Sequence, residues 1–349
     1  MRFLAVFLAA VVVLALLYAG LTRWIDPRGE FGGGAFPVVE VDARAEKMRL
    51  YRAFAAEAPP EALILGSSRA MKVCPRALAR ATGHRFFNFA VDNARAEDYL
   101  AIYRWVRGQG GRPRLLVVGL DVEALHDDDR AEASLLQEGP LMATLGEARP
   151  EQRGLLAPLV AYAPARQLKA QKATFTAQYL GDMARAVRFR LRPQSRPLPA
   201  MEFERDGYLR YRRWEEERAA GRFRFDEDLE RCLTKSAGRF ETMMRLSDRR
   251  RGYLEQLAEE ARAEGAHVVV WITTLHPLTT RYLEARTGYG ALLDATRVYL
   301  RSLAREGVAA HDFSRPESYQ GTEAGFYDCL HIDESNAERV MAALSPEMR

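Results

Sequence analysis

Five short runs rich in β-branched and aromatic residues recur along the chain. They are Ala62–Leu65 (ALIL), Phe86–Val91 (FFNFAV), Leu115–Leu120 (LLVVGL), His267–Ile272 (HVVVWI) and Val308–Phe313 (VAAHDF). None alternates apolar with polar residues, so each predicts a strand buried on both faces. Segments with helical spacing, such as Arg95–Arg107 and Arg249–Glu264, stand between them. Strands that alternate with helices close into a parallel sheet through right-handed crossovers, with helices on both faces. The expected fold class is therefore α/β with a doubly wound parallel sheet.

One connection is too long for a crossover. Roughly 145 residues separate the third run from the fourth, where a few dozen suffice. Much of that stretch is helical in pattern and rich in Arg and Ala, and Pro193–Pro199 (PQSRPLP) interrupts it. It predicts a long helical insertion over about 126–250 between the third and fourth strands. A set of helices that merely thickens the ordinary layer is the plainer alternative.

The N-terminus predicts a membrane anchor. Phe3–Thr22 carries no charge and lies between Arg2 and Arg23. Twenty helical residues span about 30 Å, enough for a bilayer core. A cleaved signal peptide needs small residues before the cut, and Leu17-Tyr18-Ala19 offers a Leu there. Residues 1–22 thus read as a single transmembrane helix. Residues 23–45, with Pro27, Gly29, Gly32–Gly34 and Pro37, read as a linker, and 46–349 as the folded domain. A short tail ahead of a lone anchor places the body on the periplasmic side of a bacterial inner membrane. The net charge of +4 lacks the clustered basicity of a nucleic-acid binder, so no nucleic-acid partner is expected. Of the three cysteines, Cys74, Cys232 and Cys329, one pair could join in an oxidising compartment. The sequence does not say which.

In open α/β sheets, function gathers at the carboxyl ends of the strands. The first strand runs into Leu65-Gly66-Ser67-Ser68-Arg69. Gly66 permits a sharp turn, and a Ser at the N-terminus of a following amphipathic helix would sit beside free N–H donors suited to an oxyanion. A simple helix cap is the alternative. Near the C-terminus stands Tyr327-Asp328-Cys329-Leu330-His331-Ile332-Asp333. An Asp and a His three apart on a loop can meet at the ring, leaving Nε2 for a serine hydroxyl. No cluster with metal-ligand spacing accompanies them, so neither a metal nor another cofactor is expected. His276 follows the fourth strand in Thr273-Thr274-Leu275-His276-Pro277, at the edge where it could touch substrate or stand as a half-solvated loop residue.

Together these residues resemble the SGNH (GDSL-like) hydrolase superfamily, whose members have a flavodoxin-like doubly wound sheet. On that resemblance Ser68 matches the nucleophile, and Asp328 and His331 match the final block. Asn88–Asn93 resembles the second block, with Asn93 where an oxyanion-hole Gly normally sits. The third block departs: Val118-Gly119-Leu120-Asp121-Val122 has Asp121 where an Asn donor is usual. An ionised Asp121 close by would repel an oxyanion, which implies slow hydrolysis unless Arg69 or the Ser68 amide substitutes. The anchor, the Gly-Ser-Ser-Arg turn, the insertion and Asp206-Gly207-Tyr208 are similar to membrane-anchored SGNH-like proteins of D-alanyl-lipoteichoic acid biosynthesis and alginate O-acetylation. That likeness implies acyl transfer, most of all acetyl transfer, to an extracytoplasmic glycan or polymer, with a membrane-bound O-acyltransferase as partner. A periplasmic esterase or lipase, and a weakly active scaffolding subunit, are the alternatives.

Overall fold

The computed structural model describes residues 2–29, 31, 35–127, 133–146, 177–192, 201–226, 229–305 and 307–348. The Pro193–Pro199 interruption and residues 147–176 lie outside the described residues. Five parallel strands form one sheet: β1 (Ala62–Gly66), β2 (Phe86–Asn88), β3 (Leu115–Leu120), β4 (His267–Ile272) and β5 (Ala309–Asp312). Their order is β2-β1-β3-β4-β5, a doubly wound order that reverses between β1 and β3 and opens a crevice at their carboxyl ends. The main helices are α1 (Arg2–Ile25), α2 (Ala43–Ala55), α3 (Pro75–Thr82), α4 (Ala96–Gly108), α5 (Ala177–Leu191), α6 (Arg212–Ala219), α7 (Leu229–Phe240), α8 (Asp248–Ala263), α9 (Pro277–Arg286), α10 (Tyr289–Arg305) and α11 (Glu334–Leu344).

Every residue of β1 and β3 is buried. Burying a Leu, Ile or Val is worth about 1.5–3 kcal/mol, against about 0–1 for a surface ion pair. The apolar strands, not the many surface arginines, therefore hold this body together. At the carboxyl ends the register sets Gly66 beside Gly119. A Cβ on Gly66 (φ 145°) would lie 2.6 Å from the Ala70 Cβ, and one on Gly119 would lie 2.8 Å from the Trp271 ring. Two side-chain-free positions are what let the chain after β1 fold back onto the sheet.

The second strand is shorter than the apolar run Phe86–Val91 predicts. It ends at Asn88, beyond which Phe89 N–H and Val91 N–H still donate to Ile64 and Gly66, while Ala90 N–H turns to Asn88 Oδ1 at 3.0 Å.

The chain forms two compact units. The larger comprises Ala43–Glu147, Phe203–Arg210 and Glu217–Arg349 and contains the sheet. The smaller comprises Met1–Asp42, Ala148–Glu202 and Tyr211–Glu216. The expected insertion is thus shared between the two. In the smaller unit, Ile25 and Val39 pack with Tyr179, Met183 and Ala186 of α5, and Arg28 pairs with Asp182 at 2.7 Å. Phe3, Leu14 and Leu17 on α1 are exposed. Taken over the described residues alone, no helix is long and apolar enough to cross a membrane. The anchor expectation rests instead on the uninterrupted, uncharged sequence Phe3–Thr22 of the 24-residue α1.

Candidate active site

No helix starts at Ser68. Instead the chain leaves β1 through successive tight turns, with Ala70 N–H donating to Ser67 O (3.0 Å), Met71 to Ser68 (3.3 Å) and Val73 to Ala70 (3.1 Å). The helix expected here begins only at Pro75. The cause is Asn88, whose buried amide donates to the carbonyls of Ala70, Met71 and Val73 at 3.0, 3.3 and 2.9 Å. Carbonyls that a helix would use internally are diverted to this side chain. From Ala62 to Val73 only Ser68 keeps appreciable exposure.

The second half comes from the loop before α11. The Asp328 carboxylate accepts the backbone N–H groups of Leu330 and His331, both at 2.8 Å, closing an Asx-type turn. Both of its oxygens lie 2.9 Å from His331 Nδ1. Burial would raise the Asp328 carboxyl, but the adjacent imidazole and these N–H donors hold it below its ordinary value. An ionised carboxylate only accepts, so Nδ1 carries the ring proton and Nε2 presents a lone pair. That Nε2 lies 2.9 Å from Ser68 Oγ, across 263 residues of sequence.

The other candidate residues divide. Asn93 is exposed, with φ 49°, on the loop that Val91 N–H ties to Gly66 O at 3.0 Å. Asn tolerates this left-handed conformation better than most side chains. Among the described residues, the N–H groups of Ser68 and Asn93 have no hydrogen-bond acceptor. Arg69 does not offer its guanidinium to an oxyanion. It is buried and clamps Glu123 through two hydrogen bonds, with Asp121 at 3.5 Å. Asp121 is buried too, accepting the Thr273 hydroxyl at 2.6 Å. Burial pushes its carboxyl up, against the pull of Arg69. Arg69, Asp121 and Glu123 thus form an internal ion cluster behind Ser68, and Asp121 is turned to Thr273.

His276 is not half-solvated but buried. Its Nδ1 accepts Leu278 N–H at 3.2 Å, capping α9, and its ring packs on Phe225 and Phe326 at 4.5 and 5.0 Å. Burial lowers its basicity, which suits a neutral ring used as an acceptor. Among the described residues, no group of three His, Cys, Asp or Glu side chains is placed to hold a metal.

The structural roles of two residues of the site could not be read from the sequence. Asn88 had a signal, a lone polar residue inside an apolar run. Cys329 was one of three candidates for a single pair, and the pair is Cys232–Cys329: its partner lies on α7, with a Cα–Cα distance of 6.1 Å, and Cys74 stays free. The Asp206-Gly207-Tyr208 element docks on the same region, the Asp206 carbonyl accepting Asn88 N–H at 2.9 Å. The buried Lys47 ammonium bridges the carbonyls of Asn88 and Gly207.

Compared with known proteins, the chain matches no family model and no curated protein.

Proposed function

We propose that this protein is an SGNH-type serine acyltransferase of the bacterial cell envelope, tethered to the membrane by Phe3–Thr22. The observation that carries the reading is the Ser68–His331–Asp328 chain of contacts, each 2.9 Å, on the most exposed point of an otherwise buried turn. His331 Nε2 takes the Ser68 hydroxyl proton as Oγ attacks an acyl carbonyl. Asp328 fixes the tautomer and stabilises the imidazolium that results. The same imidazolium then protonates the leaving group, giving an acyl-Ser68 intermediate. A glycan or polymer hydroxyl, deprotonated by His331, accepts the acyl group in the second step, regenerating the free serine. The unengaged N–H groups of Ser68 and Asn93 are the oxyanion donors of this scheme, and no side-chain donor joins them among the groups described above. Removal of one such donor costs on the order of 10²–10³ in rate, and because acylation and deacylation both pass through an oxyanion, both steps are expected to be slow. An acyl donor delivered across the membrane implies a membrane-bound O-acyltransferase as partner.

Complementation tests this reading. Cells lacking the protein should lose envelope acylation and regain it with the wild-type chain but not with Ser68→Ala. Normal acylation by Ser68→Ala at normal protein levels would refute a nucleophilic role and leave a scaffolding subunit.

A further inference from the structure

Cys329 sits between the orienting carboxylate and the base of the site, Asp328 and His331. Its backbone and its side chain are held from different directions. The Cys329 carbonyl accepts the Thr279 hydroxyl at 2.8 Å and His276 N–H at 3.4 Å, both from the start of α9. Its sulfur is bonded to Cys232 on α7, 97 residues earlier in the chain and inside the long connection between β3 and β4. The ends of the loop have another support, because Arg218 binds both Phe326 O (2.7 Å) and the Asp333 carboxylate. Only the disulfide holds the apex covalently. The Asp328–His331 pairing is local and forms wherever the loop goes. The 2.9 Å approach of Nε2 to Ser68 is not local, since it depends on where the whole loop is pinned.

We propose that the Cys232–Cys329 disulfide is a positioning device that holds His331 over Ser68, so that opening it with a dithiol lowers Ser68 reactivity reversibly. This rests on the nucleophilic reading of Ser68. The step is thiol–disulfide exchange. Cys329 is almost fully buried, whereas Cys232 is half-buried, so a dithiol thiolate attacks the Cys232 sulfur. The Cys329 thiolate leaves and takes up a proton. The second thiol of the reagent then closes its own cyclic disulfide and releases Cys232 as a thiol, two electrons having passed from reagent to protein. Helix α7 buries little besides Ser236, Ala237 and Phe240, so once the disulfide opens, the loop keeps only noncovalent supports such as the Thr279, His276 and Arg218 hydrogen bonds.

The test uses the full chain in detergent, in a Cys74→Ser background so that complete reduction exposes two thiols. The rate of Ser68 labelling by a fluorophosphonate and the hydrogen exchange of the 326–333 and 115–120 peptides are followed through reduction and reoxidation. Reduction should speed exchange in 326–333 while 115–120 stays protected, and should slow labelling about 10- to 100-fold, the cost of an ångström-scale misplacement. Reoxidation should restore both, and Cys232→Ser should stay slow and ignore the dithiol. Unchanged exchange in 326–333 after complete reduction would overturn the proposal. So would a looser loop with an unchanged labelling rate, which would make the disulfide structural only. A Ser68 that never labels, even oxidised, would refute the nucleophilic reading instead, and 326–333 exchange would still decide the tether.

Discussion

Ser68, His331 and Asp328 act as one unit if the contacts are catalytic, and units of this kind are strongly non-additive. Ser68→Ala and His331→Ala should each abolish fluorophosphonate labelling or acyl-enzyme formation, and the double variant should be little worse. Asp328→Asn should also lose most activity, because an amide at that position favours the wrong imidazole tautomer. None of the three should shift the denaturation midpoint much, since none removes core volume. Arg69 behaves differently. Its side chain is 6% exposed against Glu123, and removing one member of a buried pair costs about 3–5 kcal/mol. Arg69→Met should lower stability by about that much in urea denaturation, and Glu123→Gln added to it should recover a large part. A stable double variant that no longer labels at Ser68 would show that Arg69 serves the reaction itself.

At the scale of elements, the turn after β1 and the loop after β2 are one assembly joined through Asn88. Its amide serves three carbonyls of the first, and its Oδ1 accepts Ala90 N–H of the second at 3.0 Å. Asn88→Ala should cost about 1–3 kcal/mol, because Val73 O loses its partner while Ala70 O and Met71 O keep the N–H groups of Val73 and Leu209, visible in chemical denaturation. It should also slow Ser68 labelling in the protein that remains folded. Helix α2 is stitched to the same place by Lys47, whose pKa falls from 10.5 to about 7 because burial disfavours its charge, with Asp92 and Asp206 opposing. Across that window the unfolded chain binds the proton and the folded chain does not, so stability should climb as pH rises from about 7 to 10.5. Lys47→Met should flatten that rise in denaturation midpoints taken against pH.

For the whole molecule, the proposed tether is the feature a cell would test first. An alkaline phosphatase fusion after residue 40 should be active, and the full chain should fractionate with membranes; recovery in the soluble periplasm would mean that Phe3–Thr22 is cleaved. The sequence by itself determined the parallel sheet, because strands buried on both faces must be continuously apolar, and Ala62–Leu65, Leu115–Leu120 and His267–Ile272 show that directly. It also made the pairing of Asp328 with His331 available, since a three-residue spacing can close within one turn. Tertiary structure alone decided the rest. Asn88 diverts the carbonyls after Ser67, so no helix begins where local pattern placed one. Arg69 and Asp121 turned inward to Glu123 and Thr273, choices that depend on the neighbours β3 and β4 supply. His276 became a cap and a ring-packing residue because Phe225 and Phe326 arrive from distant segments. The disulfide could not be read from three cysteines, because which two sulfurs meet depends on where α7 lies. Contacts within one turn or one strand are written in adjacent residues, whereas a contact across 263 residues exists only once the sheet has brought both ends to one edge.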